Sequence, residues 1–228
     1  VARAELIGID KKRFFNMAVT SDKVNIKEGE PSSWSGSIDQ IAFGNEEAKE
    51  PKRLFFVSAG NLKYEDIKDY PTSNELNTVQ NPAQAWNCIT VGAFTEKVDI
   101  EKTRYPELEK IAGKGGLSPT STTSLLWNES DWPIKPEIVM EGRNYAKDKK
   151  GFVTNNQSLS LITTNKDFQS KLLTQCLDTS AATAQASRYA ALVATEYPEF
   201  WQETIRGILV HSADYKKLNL DYPNIQKL

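Results

Sequence analysis

Four short runs that are mostly apolar, rather than alternating apolar and polar, constrain the fold more than any other feature of the sequence. They lie at 13–20 (RFFNMAVT), 53–59 (RLFFVSA), 88–93 (CITVGA) and 136–140 (PEIVM). A strand with water on one face alternates apolar and polar residues, whereas continuous apolarity is typical of a strand covered on both faces. The sequence therefore predicts an α/β fold, with an open and mostly parallel sheet that carries helices on both faces.

The segments between and after these runs supply the helices. Residues 33–43 (SWSGSIDQIAF) place four apolar residues at helical spacing, which are Trp34, Ile38, Ile41 and Ala42. The order of strand, helix and strand favours a right-handed βαβ unit.

An alanine-rich stretch at 181–196 (AATAQASRYAALVATE) predicts a second helix. It follows Asp178, Thr179 and Ser180, which are favoured N-cap types. Because alanine lets a helix approach its neighbours closely, this helix is expected at the centre of the domain. Pro198 is expected to open a third helix, one face of which is formed by Trp201, Ile205, Ile208 and Leu209. The polar stretch 144–169 is interpreted as a loop with a hairpin.

Composition excludes several classes of partner. The chain has 28 basic and 30 acidic side chains and a net charge of −2, which argues against a nucleic-acid surface. No apolar run approaches the roughly 20 residues that a membrane helix needs. The one histidine, His211, and two cysteines without C-x-x-C spacing, Cys88 and Cys176, leave no zinc site and indicate buried thiols. No metal, cofactor, nucleic acid or membrane is expected as a partner.

The beginning of the chain carries no secretory leader, and it opens with Val1. A segment cut from a longer protein is the interpretation we favour. The compartment stays open, with the cytoplasm slightly favoured by the low cysteine content.

Two local patterns are candidates for chemistry. The run at 53–59 ends in Ser58, Ala59 and Gly60, followed by Asn61, whose amide can donate a hydrogen bond to developing negative charge. Ser180 opens the alanine-rich stretch, where free backbone N–H groups and the helix dipole can stabilise an oxyanion. Taken separately, each has an ordinary alternative, since Gly-Asn is a common turn and serine is a common N-cap.

Together with the segments between them, these patterns resemble the subtilisin-like serine peptidases (subtilases). The family has the same blocks in the same order: a strand ending in the oxyanion Asn, an N-P-A…VGA block, an F-S-S-G-like turn, K-P-D-I-V-A-P-G and G-T-S-M-A-A-P. The resembling segments here are 53–61 (RLFFVSAGN), 81–93 (NPAQAWNCITVGA), 116–121 (GLSPTS), 134–142 (IKPEIVMEG) and 178–198, continuing into 203–213.

The resemblance implies a serine endopeptidase that acts on polypeptides through an acyl-enzyme. It implies that Ser180 is the nucleophile and Asn61 the side-chain oxyanion donor. Ser58, Ala59 and Gly60 match the strand end that flanks the specificity pocket. Ala18, Val19 and Thr20 follow Asn-Met and match a segment that pairs with substrate as an added strand.

The sequence departs from the family at several positions. The glycine of G-T-S is Asp178 here, which is unexpected where the backbone must approach closely or adopt an unusual φ. The Met and Pro of that motif are Ala181 and Ala184. Glu137 in place of Asp, and Arg143 beside Gly142, are interpreted as milder changes at surface positions.

The largest departure is that no H-G-T and no D-[ST]-G motif precedes Asn61. Residues 1–228 are therefore expected to form one partial subtilase-like domain, lacking the N-terminal portion with the catalytic Asp and His, and to be inactive alone. The N-terminal part of the same domain is the expected partner. The alternative is a catalytically inactive module that binds peptides or proteins. An esterase of the α/β-hydrolase type, in which His211 is the base, requires a G-x-S-x-G elbow that the sequence lacks.

Overall fold

A computed structural model describes residues 1–7, 11–22, 29–45, 51–127 and 132–214. Its helices are α1 (Ala2–Glu5), α2 (Ser33–Phe43), α3 (Thr72–Leu76), α4 (Asp178–Glu196) and α5 (Gln202–His211). Its strands are β1 (Phe14–Met17), β2 (Leu54–Ser58), β3 (Ile89–Thr95), β4 (Glu109–Lys110), β5 (Gly116–Leu117), β6 (Ile138–Glu141), β7 (Ala146–Lys147), β8 (Val153–Thr154), β9 (Leu161–Thr164) and β10 (Leu173–Cys176).

The main sheet is parallel over β1, β2, β3 and β6, in that spatial order, as the apolar runs predict. Short β5 is antiparallel to the end of β3. The first run forms a strand only as far as Met17, so the predicted strand is three residues too long at this end. β1 and β2 are parallel and are joined through α2, which confirms a βαβ unit.

Apolar side chains cover both faces of this sheet, which explains why the strands carry uninterrupted apolar sequence. On one face, Leu54 and Phe56 of β2 pack with the alanines of α4 and with Ile205 of α5. On the other face, Phe55 and Val57 pack against α2. The fold is therefore α/β with helices on both faces, as predicted.

Helix α4 crosses the sheet centrally and contacts β1, β2, β3 and β6. Its residues Ala182, Ala186 and Ala190 are fully buried, which confirms the close approach expected of an alanine-rich helix. The expected capping is wrong. The N-cap is Leu177, whose hydrocarbon side chain cannot accept a hydrogen bond, and Asp178, Thr179 and Ser180 lie inside the helix.

The predicted faces of the other two helices are partly wrong. Helix α2 has the predicted bounds and buries Ile38 and Ala42, but Ile41 points to the surface and is 38% exposed. Helix α5 begins at Gln202 rather than at Pro198, because Trp201 has an extended backbone and is the N-cap residue. Only Ile205 and Leu209 of the predicted face are buried, whereas Trp201 is 76% exposed.

The polar stretch 144–169 contains the expected hairpin, made by β7 and β8, and continues into β9, which pairs with β10. Both cysteines are free; Cys88 is buried, but Cys176 is only partly so. Within the described ranges, no helix is long and apolar enough to cross a bilayer. The same ranges contain no group of three or more His, Cys, Asp or Glu side chains that could hold a metal ion.

Replacing Phe56 by alanine tests the packing of α4 on the sheet. Phe56 is fully buried between them, so we expect Phe56→Ala to lower the free energy of unfolding by about 3–5 kcal/mol. Phe168→Ala is the matched control, because Phe168 is 66% exposed and its loss should stay within about 0.5 kcal/mol. Urea denaturation measures both, and equal losses would contradict the assigned core.

Candidate active site

The end of β2 forms the inner wall of a site at the carboxyl edge of the sheet. Ser58, Ala59 and Gly60 are all buried. The Ala59 carbonyl accepts hydrogen bonds from the Gln80 N–H (2.8 Å) and from the Thr122 hydroxyl (2.9 Å). These three residues therefore lie behind Asn61, and their predicted contact with substrate stays a prediction.

Gly60 is required by the backbone at this point. Its φ is +107°, a conformation that side chains with a Cβ rarely adopt. A Cβ here would lie 2.5 Å from Cδ of Gln80. The chain therefore turns tightly from β2 into Asn61 against the side chain of Gln80.

Gln80 clamps the backbone of Asn61 on both sides. Its amide Nε2 donates to the Asn61 carbonyl (2.9 Å), and its Oε1 accepts from the Asn61 N–H (3.3 Å). The Thr20 hydroxyl donates to the same Oε1 (2.8 Å). Thr20 is thus joined to Asn61 through one side chain, although the two residues are far apart in sequence.

Thr179 fixes the side chain of Asn61. Both the Thr179 N–H (3.1 Å) and the Thr179 hydroxyl (2.8 Å) donate to Asn61 Oδ1, and the hydroxyl also reaches the Gly60 carbonyl (3.2 Å). With Oδ1 occupied twice, the Nδ2 group is the part of the Asn61 amide that is left to donate a hydrogen bond. Among the described residues, no acceptor binds this Nδ2.

Ser180 lies next to this pair, in the first turn of α4, and is partly buried. The first N–H groups of a helix have no partner within it. Here the Asp178 N–H donates to the Gly142 carbonyl (2.9 Å) and the Thr179 N–H to Asn61, while the Ser180 N–H meets no acceptor in the described part of the chain. The fold thus places the Ser180 hydroxyl near two donors that meet no acceptor among the described residues, the Ser180 N–H and Asn61 Nδ2.

Asp178 begins the helix with a positive φ of 63°. Its carboxylate accepts hydrogen bonds from the hydroxyls of Thr120 (3.0 Å) and Tyr145 (3.2 Å). Burial raises the pKa of the Asp178 carboxyl above its usual value, against the opposing effects of the Thr120 hydroxyl, the Arg143 charge and the Tyr145 hydroxyl. Burial, with the nearby Asp178 charge, likewise raises the pKa of Tyr145.

The interpretation of Glu137 and Arg143 as surface positions is wrong. Arg143 is fully buried, has a φ of 100°, and stacks its guanidinium 4.1 Å from the ring centroid of Tyr145. Glu137 pairs with the buried ammonium of Lys135 and accepts from the Thr90 N–H (2.7 Å). Both side chains therefore hold neighbouring segments together within the fold.

The predicted strand-pairing segment lies open. Ala18 and Val19 are exposed, Thr20 is partly buried, and all three lie beyond the end of β1. Within the described ranges, no backbone group of these three residues forms a backbone hydrogen bond. Their N–H and C=O groups are accordingly available to an extended peptide.

His211 makes no hydrogen bond to Ser180 in the part of the chain that the structure describes. It is the last residue of α5 and is exposed. In the part of the chain that the structure describes, the Ser180 hydroxyl has no hydrogen-bond partner. Among the residues that the structure describes, the candidate nucleophile therefore has no activating side chain.

Inspection of the sequence did not reveal the roles of three residues at the site. Thr179 adjoins Ser180 in the D-T-S motif, which hinted at it, but its pairing with Asn61 requires the fold. Gln80 and Tyr145 belong to no recognisable pattern and reach the site through turns between strands.

Comparison with known protein families identifies the family of this chain. A family model described as the subtilase family (peptidase S8) matches residues 2–225. No curated protein matches the chain significantly.

Solved structures related to this chain include a cold-adapted subtilisin-like serine proteinase, at 16% identity and a TM-score of 0.46, with 90% of this chain and 49% of that chain covered. Sphericase matches at 17% identity and a TM-score of 0.48, with 92% of this chain and 51% of the other covered. The chain spans about half the length of these structures.

The pKa of Asp178 predicts a pH-dependent stability. Because the folded state raises this pKa, it holds the proton more tightly than the unfolded state, so the contribution is favourable at low pH and is lost as pH rises through the folded pKa. In the Asp178→Asn variant, the amide at position 178 does not titrate. We expect the melting temperature of the wild type to fall relative to this variant between pH 3 and pH 8 (about the span in which carboxyls titrate). A constant difference, measured by calorimetry, would contradict the raised pKa.

Proposed function

Because the chain belongs to the subtilase family, a family of serine peptidases, we propose that it supplies the nucleophile and the oxyanion donor of a subtilisin-type serine endopeptidase. Ser180 is the nucleophile and Asn61 the side-chain donor. The observation that carries this assignment is the double hydrogen bond from Thr179 to Asn61 Oδ1, which holds the Asn61 amide against the residue next to Ser180 and leaves its Nδ2 without an acceptor among the described residues.

The reaction proceeds through an acyl-enzyme. The Ser180 hydroxyl attacks a peptide carbonyl while a general base takes its proton, and the same group later returns the proton to the leaving amine. The tetrahedral oxyanion accepts hydrogen bonds from the Ser180 N–H and from Asn61 Nδ2. Such preorganised donors act on charge that exists only in the transition state, so they lower the barrier without tightening substrate binding equally.

The general base and the acid that orients it come from another polypeptide segment, the N-terminal part of the same catalytic domain. His211 is exposed at the end of α5, and the chain contains no other histidine. The outer edge of β1 suits the incoming segment, because in the described sheet β1 pairs only with β2. An unpaired strand edge presents N–H and C=O groups that a further strand can bind.

The substrate is an extended polypeptide. The free backbone of Ala18, Val19 and Thr20 supports strand addition, in which main-chain hydrogen bonds give affinity and side-chain pockets give specificity. Thr20 connects this segment to Asn61 through Gln80. Ser58, Ala59 and Gly60 form the wall behind the scissile carbonyl.

A catalytically inactive module that binds peptides or proteins is the second candidate. The Asp178 carboxylate favours it, because it places an acidic side chain two residues before Ser180, where the family motif has an uncharged glycine. Such a module would bind extended peptides without turnover.

Substitution of the two principal residues in the full-length protein tests the endopeptidase. We expect Ser180→Ala to abolish hydrolysis of a fluorogenic peptide, and Asn61→Ala to lower kcat by about 10²–10³, the loss measured for the corresponding donor of subtilisin, with a smaller change in KM. Ser212→Ala, at an exposed serine after α5, is the matched control and should retain full activity. Undiminished turnover by the Ser180→Ala protein would overturn the assignment.

A further inference from the structure

Asp178 occupies the position where the subtilase motif resembled by this sequence has glycine. It keeps the left-handed backbone that glycine favours, with φ at 63°, and aspartate is among the few residues that tolerate this region. The substitution therefore preserves the turn into α4 and adds a carboxylate beside it. What that carboxylate does is visible in its contacts.

The carboxylate ties the start of α4 to two other segments. It accepts from Thr120 (3.0 Å), whose own carbonyl accepts from the Leu62 N–H (2.9 Å), immediately after Asn61. It also accepts from Tyr145 (3.2 Å). In the backbone, the Asp178 N–H donates to the Gly142 carbonyl. The residue before Thr179 is thus fixed through its side chain as well as its backbone.

The orientation of the Thr179 N–H follows from this anchoring. The peptide that joins Asp178 to Thr179 turns with the ψ of Asp178, and the Thr179 N–H must point at Asn61 Oδ1 to hold the Asn61 amide in place. In a glycine variant, that rotation would be limited only by the backbone contact with Gly142 and by the helix that begins there. Two hydroxyl contacts to an aspartate restrict it.

The cost of this arrangement supports a positioning role. A partly buried carboxylate loses hydration, which costs free energy unless hydrogen bonds compensate it. The Arg143 guanidinium, stacked on Tyr145, offsets part of that cost from the far side of the cluster. Three side chains, Thr120, Tyr145 and Arg143, are therefore organised around one acid.

We propose that Asp178 is a positioning residue: through Thr120 and Tyr145 its carboxylate holds the Thr179 N–H on Asn61 Oδ1, and so aims Asn61 Nδ2 at the oxyanion. The proposal rests on the proposed endopeptidase function for its catalytic consequence. Its structural part, the order imposed on Thr179, does not.

The test compares two variants that both tolerate the positive φ of this position. Asp178→Gly removes the carboxylate, whereas Asp178→Asn keeps an acceptor oxygen. In the full-length protein, Asp178→Gly should lower kcat by about 10- to 100-fold with little change in KM, because small misplacements of a catalytic group cost up to about 10²-fold. Asp178→Asn should restore most of the rate. Amide hydrogen exchange at Thr179 should quicken at least tenfold in Asp178→Gly and not in Asp178→Asn, with the Ala186 amide in the buried part of α4 as the internal reference.

Thr120→Val combined with Tyr145→Phe removes both donors and should reproduce the Asp178→Gly exchange at Thr179. Unchanged exchange at Thr179 in Asp178→Gly would overturn the proposal, as would quickened exchange with an unaltered kcat. A wild-type protein that hydrolyses no peptide would instead count against the endopeptidase function, and the exchange rates would still decide whether Asp178 orders Thr179.

Discussion

The hydrogen bonds from Thr179 to Asn61 Oδ1 are the interaction on which the candidate site depends. They join the beginning of α4 to the residue that follows β2, so the proposed nucleophile and the proposed oxyanion donor are connected directly. Neither residue could stabilise an oxyanion alone. Asn61 can present its Nδ2 only while its Oδ1 is held, and Ser180 needs a neighbouring donor. The rest of the fold brings these two ends together.

Close packing beneath the site makes that connection possible. A Cβ on Gly142 would lie 2.4 Å from the Cβ of Ala93 and 3.2 Å from the Asp178 carbonyl, so the start of α4 sits directly on the sheet. The fully buried Ala182 and Ala186 continue this close approach along the helix. Protein interiors are densely packed and have low compressibility. A helix packed in this way therefore fixes the position of its first turn.

The sequence predicted the features that repeat along the chain and missed those that depend on a single long-range contact. Continuous apolarity located all four parallel strands, because each is covered on two faces. The bounds of α2 followed from periodicity, but Ile41 was assigned to the wrong face. Spacing alone places Ile41 near Ile38 and Ala42, and only the fold shows that its side chain lies at the edge of their face, toward solvent. Gln80, Thr120 and Tyr145 gave no signal, since each meets the site through a turn that local sequence does not specify. Arg143 was misplaced for the same reason: only the fold shows that Tyr145 stacks on its guanidinium.

The central claim is that this chain holds a nucleophile and its oxyanion donors and relies on another segment for the general base. Reaction with a fluorophosphonate probe tests it most directly, because the probe bonds only to an activated serine and mass spectrometry identifies the modified residue. We expect that a longer protein containing the subtilase Asp and His motifs is modified at Ser180, and that the 228-residue chain alone is not. An unmodified longer protein, an adduct on another serine, or equal modification of the isolated chain would contradict it.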